Sequence, residues 1–513
     1  MNLPRFREAD GRLRRGATPV PLHLVACSVG LLALLSGCAA GPDFRTPTLS
    51  DEAGYRAEAL PAATAATDGP TGDAQRFLEG AEVPAQWWTG FGSEELNRRV
   101  SEALANSPTV ASAQAALRKA QEEAGVARGQ LFPSVDAALG ANRQKNPVTT
   151  GGAFSSSPYT IYNASVDVGY TLDLFGGVRR GVEAQRALAD YQQFQLEGTY
   201  LSLASNVVTT SILEASLREQ IRATEDIVEA YRQQYDLVDK QFSTGAKSQG
   251  DVLLAQSQVA TARAGLPALR KALERARTQL AVYLGRFPSQ AELDALDLDA
   301  LSLPDEVPVS LPSELVRRRP DIRAAEARLH EATARVGVAT ANLFPSIGLS
   351  ASFGSQAVDR GDLFGGSAEA WSLGLNLLQP IFRGGSLRAQ KRAAEAGLDQ
   401  AAADYRTTVL TAFQNVADSL RALELDAEEL LAQSDALDAS SSSLELVNVQ
   451  FREGASSQLQ LLDSSRQYQQ ARIAFVQARA NRLSDTAALY VALGGGLVDD
   501  DRIGLVDTQP ITN

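Results

Sequence analysis

Two copies of one pattern run through this chain, and that repetition limits its possible folds more than any other feature. Residues 108–134 match residues 320–346 at an offset of 212. Both copies carry Gly-Val-Ala (125–127 and 337–339) and both close on Leu-Phe-Pro-Ser (131–134 and 343–346). Further along the offset becomes 209: Asn206-Val207 matches Asn415-Val416, Phe242 matches Phe451, Gly245 matches Gly454, and Leu284-Gly285 matches Leu493-Gly494. The slip between the two offsets falls between about residues 135 and 205, so that interval should contain loops, which tolerate length changes best. The chain is two copies of a unit of about 180 residues.

Within a unit the hydrophobic period changes twice. The first helical pattern (about 94–130, and 313–342) stops at Phe-Pro, because proline restricts the residue before it. The period then becomes two. Tyr162, Ala164, Val166, Val168, Tyr170, Leu172 and Leu174 alternate with polar or small residues, which predicts a strand with one apolar and one polar face. Trp371, Leu373, Leu375 and Leu377 do the same. Val135, Ala137 and Leu139 precede the first strand, and Ile347, Leu349, Ala351 and Phe353 the second; loops rich in Gly and Ser separate each pair (146–158 and 357–369). Each unit therefore has one β-hairpin, at 134–175 and 346–382. Strands of about ten residues, tilted as in a barrel, span a hydrocarbon core. The alternative is a soluble sheet packed on the helices. Four strands cannot close a conducting barrel, and an open sheet in lipid leaves its edges unpaired. A membrane reading requires several chains to share one barrel.

After Phe175-Gly-Gly and Phe382-Arg-Gly-Gly the helical period returns over 178–243 and 386–452, about 65 residues or about 100 Å each. Tyr405, Val409, Ala412, Val416, Leu420 and Leu423 form a narrow apolar stripe in the second. Each long helix ends at a Gly-x-x-Ser stretch, Gly245 to Ser248 and Gly454 to Ser457, which reads as the tip of a helical hairpin. The returning helices carry apolar residues every seven positions (Val252, Val259, Leu266, Leu273, Leu280; Leu461, Tyr468, Phe475), the spacing of a coiled-coil seam. Pro267 should kink or interrupt its helix. The proline-rich residues 287–312 read as a linker between repeats spanning 94–286 and 313–495, and 496–513 as a C-terminal tail.

The N-terminus has the three parts of an export signal. Five arginines precede a mostly apolar run from Leu22 to Leu35, too short to span a bilayer. Leu35-Ser36-Gly37-Cys38 comes next and resembles the bacterial lipobox, which implies cleavage after residue 37 and lipidation of Cys38. Ala39 stands where inner-membrane lipoproteins commonly have Asp, so the resemblance implies the outer membrane. Residues 1–37 carry a net charge of +3, leaving −16 from the formal −13 of the whole. That balance argues against nucleic acid as a partner. Cys27 and Cys38 are the only cysteines, and His330 is the only histidine besides His23. A mature chain without free thiol or paired histidines offers no thiolate or multi-histidine metal site and no nucleophile–histidine catalysis. No cofactor is expected, and no enzyme. Residues 38–93 read as a tether closed by Trp87-Trp88-x-x-Phe91, which clamps it on a folded surface or offers a ligand platform.

Several of these residues together resemble the TolC family of outer-membrane efflux proteins, in its lipidated drug-efflux branch. They are Trp87-Trp88-x-x-Phe91, Ala103-Leu104-x-Asn106-x-Pro108, Arg319-Pro320-Asp321-Ile322, the Leu-Phe-Pro-Ser junctions, the Phe-Gly-Gly turns and the Gly-x-x-Ser tips. Gly92-Ser93 departs from the family's usual Asp-Pro. The resemblance implies an α+β membrane protein and a homotrimer. Three chains of four strands would make a 12-stranded outer-membrane barrel, continued by a long α-helical periplasmic barrel, with residues up to 93 in an equatorial belt. It implies a duct for small molecules such as drugs and toxic compounds. Its partners would be a periplasmic adaptor (membrane fusion) protein and a proton-driven inner-membrane pump. The same fold serves type I protein secretion, and a periplasmic coiled-coil lipoprotein scaffold is a further alternative. Carried onto this chain, the periplasmic gate would be Leu459 as an apolar ring, Asp463 as an acidic ring and Arg466 as its tether. Gln460 stands where some members have a second acid. A ring of Asp463 would favour cations; without the family, Asp463 and Arg466 read as a solvated i,i+3 pair. Gly245, Ser248, Gly454 and Ser457 match the tips where the adaptor docks, although chain reversal and helix capping alone also account for them.

Overall fold

The computed structural model describes residues 39–48, 54–145, 158–290 and 294–496. The export signal, Cys38 and the tail beyond residue 496 lie outside them. The repetition reappears as matched elements. Helix α1 (Glu94–Asn106), α2 (Pro108–Gly129), strands β2 (Ser134–Gln144) and β3 (Tyr159–Leu172), α3 (Gly177–Ser243) and α4 (Gln249–Tyr283) make the first copy. Helix α5 (Pro312–Arg318), α6 (Pro320–Ala341), β5 (Ser346–Ala357), β6 (Glu369–Leu378), α7 (Ser386–Arg452) and α8 (Gln458–Ala492) make the second. Outside both lie β1 (Arg76–Glu79) and β4 (Glu306–Val309). The hairpin loops differ in length between the copies: fourteen residues separate β2 from β3 and eleven separate β5 from β6.

The chain divides into two compact units. The first holds residues 128–181 and 335–392 with the chain up to 42. Its centre is one antiparallel sheet in the order β2-β3-β5-β6. The two hairpins join through β3 and β5, where Val166 faces Phe353 and Val168 faces Ala351. Strands β2 and β6 are the free edges. The apolar alternation of β6 points into open space: Trp371, Leu373, Leu375 and Leu377 are 62–78 % exposed. At the Phe-Gly-Gly turn, Asp173 accepts hydrogen bonds from the Val178 and Arg179 amides at 3.0 and 2.9 Å. That carboxylate caps and charge-complements the start of α3. Phe175 stacks on Phe344 at 4.7 Å, and the Ala40 amide donates to the Phe175 carbonyl.

The second unit holds residues 43–127, 182–334 and the chain from 393. Its main core gathers Trp87, Phe91 and Leu96 with Leu196, Val207 and Ile212 of α3, Val416 and Leu420 of α7, and Leu483 and Tyr490 of α8. The six-residue stripe expected on α7 is buried throughout. Trp87 stacks on Tyr490 at 5.6 Å, so Trp87 packs the end of the tether into the core.

Four expectations need correction. The leading helix of each repeat is two helices. Ser107 and Arg319 each precede a proline and take extended ψ angles of 124° and 122°, by the same steric rule that ends the helical pattern at Phe-Pro. Residues 76–79 of the tether and 306–309 of the linker are strands, pairing in parallel as β1 and β4. The linker also supplies Leu296, Leu298, Leu301 and Leu303 to the core. Of the kink or interruption expected at Pro267, the interruption is absent: helix α4 continues through it. Leu266 and Leu273 on either side are packed against α3, and that packing outweighs the one hydrogen bond that proline removes.

Candidate gate and docking tips

Both hairpin tips are built by the same backbone device. At the end of α3 the Ala246 amide donates to the Gln241 carbonyl and the Gly245 amide to that of Phe242. At the end of α7 Ala455 donates to Gln450 and Gly454 to Phe451. These are Schellman closures, and they require a left-handed residue. Gly245 and Gly454 supply it, with φ of +81° and +76°. Ser248 then caps α4 and Ser457 caps α8, accepting from the amides of Asp251 and Gln460 at 3.3 and 3.2 Å.

The two tips differ at the third residue of the returning helix. The Asp251 carboxylate accepts in return from the Ser248 amide at 2.9 Å, completing a capping box. Those bonds, the backbone one first and the hydroxyl second, hold its carboxyl below the usual range. Gln460 completes no such box. Two contacts tie the tips together: Lys247 Nζ lies 5.0 Å from the centre of the Phe451 ring, and the Gln458 amide group donates to the Asp251 carbonyl at 3.3 Å. Neither contact is visible in the sequence pattern.

Leu459, Asp463 and Arg466 share one face of α8. Arg466 donates to Asp463 at 2.6 Å and Gln467 donates to its other oxygen at 2.7 Å. The pair is about half exposed, so it contributes at most about 1 kcal/mol to stability. Leu459 is 71 % exposed in the single chain. All three residues line a cavity of about 600 Å³, opposite Thr224 and Tyr231 of α3 and Thr261 and Gly265 of α4. Burial pushes the Tyr231 phenol up, and the Arg466 charge works in the opposite direction. The structure thus brings the three named residues together against the first repeat.

A buried polar cluster went unread in the sequence. Glu214 of α3 is fully buried and meets Arg99 at 2.9 Å, Arg218 at 2.9 Å and Arg277 at 3.5 Å. Arg99 also donates to Glu95 at 2.8 Å and to the Asp294 carbonyl at 2.6 Å. Arg482 of α8, equally buried, donates to the carbonyls of Thr71 and Asp73 at 2.8 and 2.7 Å and so holds the tether. Tyr55 against Phe413, Phe44 against His330, and Arg56 paired with Glu424 hold it elsewhere. The signal for the Glu214 cluster was in the repeat: offsets of 209 and 212 put Leu423 where Glu214 stands and Leu311 where Arg99 stands. No group of three or more His, Cys, Asp or Glu arranged for a metal ion exists among the described residues.

A two-fold repeated chain with a β-hairpin and a long helical hairpin in each half has the α+β fold of an outer-membrane channel of TolC type. A model of the outer membrane efflux protein family matches residues 100–286 and 311–495. The toluene efflux pump outer membrane protein TtgC of Pseudomonas putida is 32 % identical over 90 % of this chain and 93 % of its own length. The pyoverdine export outer membrane protein OpmQ of Pseudomonas aeruginosa is 34 % identical over 82 % of this chain and 89 % of its own. Among solved structures, the outer-membrane channel OprN matches with a TM-score of 0.80 at 30 % identity, over 90 % of this chain and 99 % of that one. The Neisseria gonorrhoeae MtrE channel in its open state matches with a TM-score of 0.77 at 27 % identity, covering 90 % and 99 %. The chain belongs to the outer membrane efflux protein family. It is an outer-membrane component of an efflux system, and its family is one of transport proteins.

Proposed function

We propose that the chain forms the exit duct of a tripartite pump for small toxic molecules, as a homotrimer with a gate at Leu459, Asp463 and Arg466. The observation that carries this is the open sheet. Its apolar face is uncovered and its two edges, β2 and β6, have no strand partner among the described residues. Three copies joined edge to edge give 12 strands, with no free edge left in lipid. The tips at Gly245, Ser248, Gly454 and Ser457 dock a periplasmic adaptor, and a proton-driven inner-membrane pump supplies the cargo. Lipidation at Cys38 anchors the tether, since several acyl chains at about 0.8 kcal/mol per buried CH₂ hold firmly.

Two experiments test the reading. Protein purified from outer membranes should run as a trimer and conduct ions in planar bilayers. In it, Asp463→Ala should raise conductance and weaken cation preference, because removing the carboxylate also frees Arg466. Unchanged conductance and selectivity would remove Asp463 from the gate. Labelling cells with a radioactive fatty acid should mark the wild type and leave Cys38→Ala unmarked; label on the variant would show that the anchor lies elsewhere.

A further inference from the structure

Every position of α3 and α4 has a counterpart 209 residues later in α7 and α8, so each contact between the two repeats of a chain has a counterpart pair of residues. Within the chain α8 lies against the first repeat. Its Arg472 pairs with Asp226 of α3 at 2.9 Å, and its Gln458 donates to the Asp251 carbonyl at 3.3 Å. Leu462 lines the cavity that α8 shares with α3 and α4. The counterparts of Gln458, Leu462 and Arg472 are Gln249, Leu253 and Arg263 of α4, and the counterpart of Asp226 is Asp435 of α7. All four residue types are the same, but their surroundings differ. Gln458 and Leu462 are 5 and 7 % exposed, whereas Leu253 is 57 % exposed. Gln249, Arg263 and Asp435 are exposed too, and neither Arg263 nor Asp435 has an ion-pair partner among the described residues. One chain thus holds a complete seam between α3 and α8, and the two unmatched halves of a second.

We propose that a second copy of the chain completes that seam: α7 of one copy receives α4 of its partner as α3 receives α8 within the chain, with Asp435 paired to Arg263 of the partner subunit. The Gln460 carbonyl then accepts from the partner's Gln249, as the Asp251 carbonyl accepts from Gln458. The seam presupposes the homotrimer proposed above and names the residues by which its copies recognise one another. Carboxylate and guanidinium stand on different faces, so two α7 faces or two α4 faces would oppose like charges. The contact is therefore head-to-tail, the kind that closes into a ring when it repeats. Around that ring seams within chains alternate with seams between chains. The exposed ion pair sets register more than affinity, while covering Leu253 removes apolar surface from water. Two contacts are not carried over. Ser456 stands at the counterpart of Lys247, so no cation covers the partner's Phe242 as Lys247 covers Phe451. Glu429 and Ala268 stand where Gln220 and Gln477 meet. The seam between copies is thus the more weakly tied of the two.

Thiol cross-linking of the full chain in membranes separates the two seams. Arg263→Cys combined with Asp435→Cys, treated with a short bismaleimide, should shift from the monomer to the dimer and trimer positions on a denaturing gel. Asp226→Cys combined with Arg472→Cys should lose its free thiols and stay at the monomer position, because that link closes within one chain. The wild type, whose only cysteines are Cys27 and Cys38, and each single variant should also remain monomeric on the gel. The mass of the untreated wild type in detergent reads the number of copies separately. A trimeric wild type whose 263/435 pair gives only monomer, while the 226/472 pair links, overturns the seam and leaves the homotrimer standing. A monomeric wild type overturns the homotrimer and the seam with it. Should the cysteine pair fail to assemble, a charge exchange takes its place. Arg263→Asp should lower the trimer fraction severalfold at low salt, and adding Asp435→Arg should restore it; no restoration overturns the seam.

Discussion

Replacing Glu214 with Leu is expected to lower the stability of the chain by about 3–5 kcal/mol, the usual cost of stripping one partner from a buried ion pair. Leu is the residue at the matching position of the second repeat, Leu423, and it is fully buried there. Shape alone would make the exchange mild. The penalty comes from what remains: Arg99, with a side chain 1 % exposed, keeps Glu95 but loses its other anion. Arg218 and Arg277 lose the same carboxylate. Adding Arg99→Met, an apolar side chain of similar reach, should return most of the loss, because a buried pair replaced as a whole is often neutral. Denaturant titration of the solubilised protein, followed by helical circular dichroism, yields the coupling energy of the two changes. If Glu214→Leu alone is as stable as the wild type, the cluster is solvated and the burial argument fails.

The same comparison explains what the sequence could and could not disclose. Period and repetition are long-range signals, so the elements, the strand faces and the apolar stripe from Tyr405 to Leu423 were legible. The tips were legible because only glycine readily accepts the φ of +81° and +76° found at Gly245 and Gly454. Breaks inside helices were not, because Ser107-Pro108 and Arg319-Pro320 interrupt an apolar period that continues on both sides. The strands β1 and β4 are four residues each, too short for any alternation to register. Buried charges were hidden for a different reason: Glu214, Arg99 and Arg482 sit on helices full of solvated Glu and Arg, and one charge looks like another until its neighbours are known. Differences between the repeats were the available clue. Lining up Glu214 with Leu423 marks a charge in a position where the fold accepts a buried aliphatic side chain. For the proposed gate, the family resemblance named Leu459, Asp463 and Arg466, but Tyr231 and Thr261 opposite them come from the first repeat, far away along the chain.

Leu373→Arg in the middle of β6 is expected to block assembly in the outer membrane, whereas Ser372→Arg, one residue away, is expected to permit it. Successive residues of a strand face opposite sides of a sheet. Leu373 pairs with Ala351 and Ser372 with Ser352, so the apolar and polar faces continue across both strands. Within one chain Leu373 touches almost nothing, being 78 % exposed. An arginine there costs an isolated chain in water little, and any penalty must come from what covers that face in the assembled protein. On a lipid-facing strand at mid-depth, arginine costs about 2–4 kcal/mol, and a barrel shared by three chains incurs it three times, more than the whole stability margin of a typical domain at the lower end. Ser372→Arg points to the lumen, where the same charge stays hydrated and shifts ion selectivity instead. Outer-membrane fractionation, with trimer content judged by gel mobility without heating, separates the cases. Equal assembly of the two variants would mean that the exposed apolar face is covered by something other than lipid. The argument that three chains share one barrel would then lose its physical basis, because that basis is an apolar face and two open edges that a single chain leaves unsatisfied.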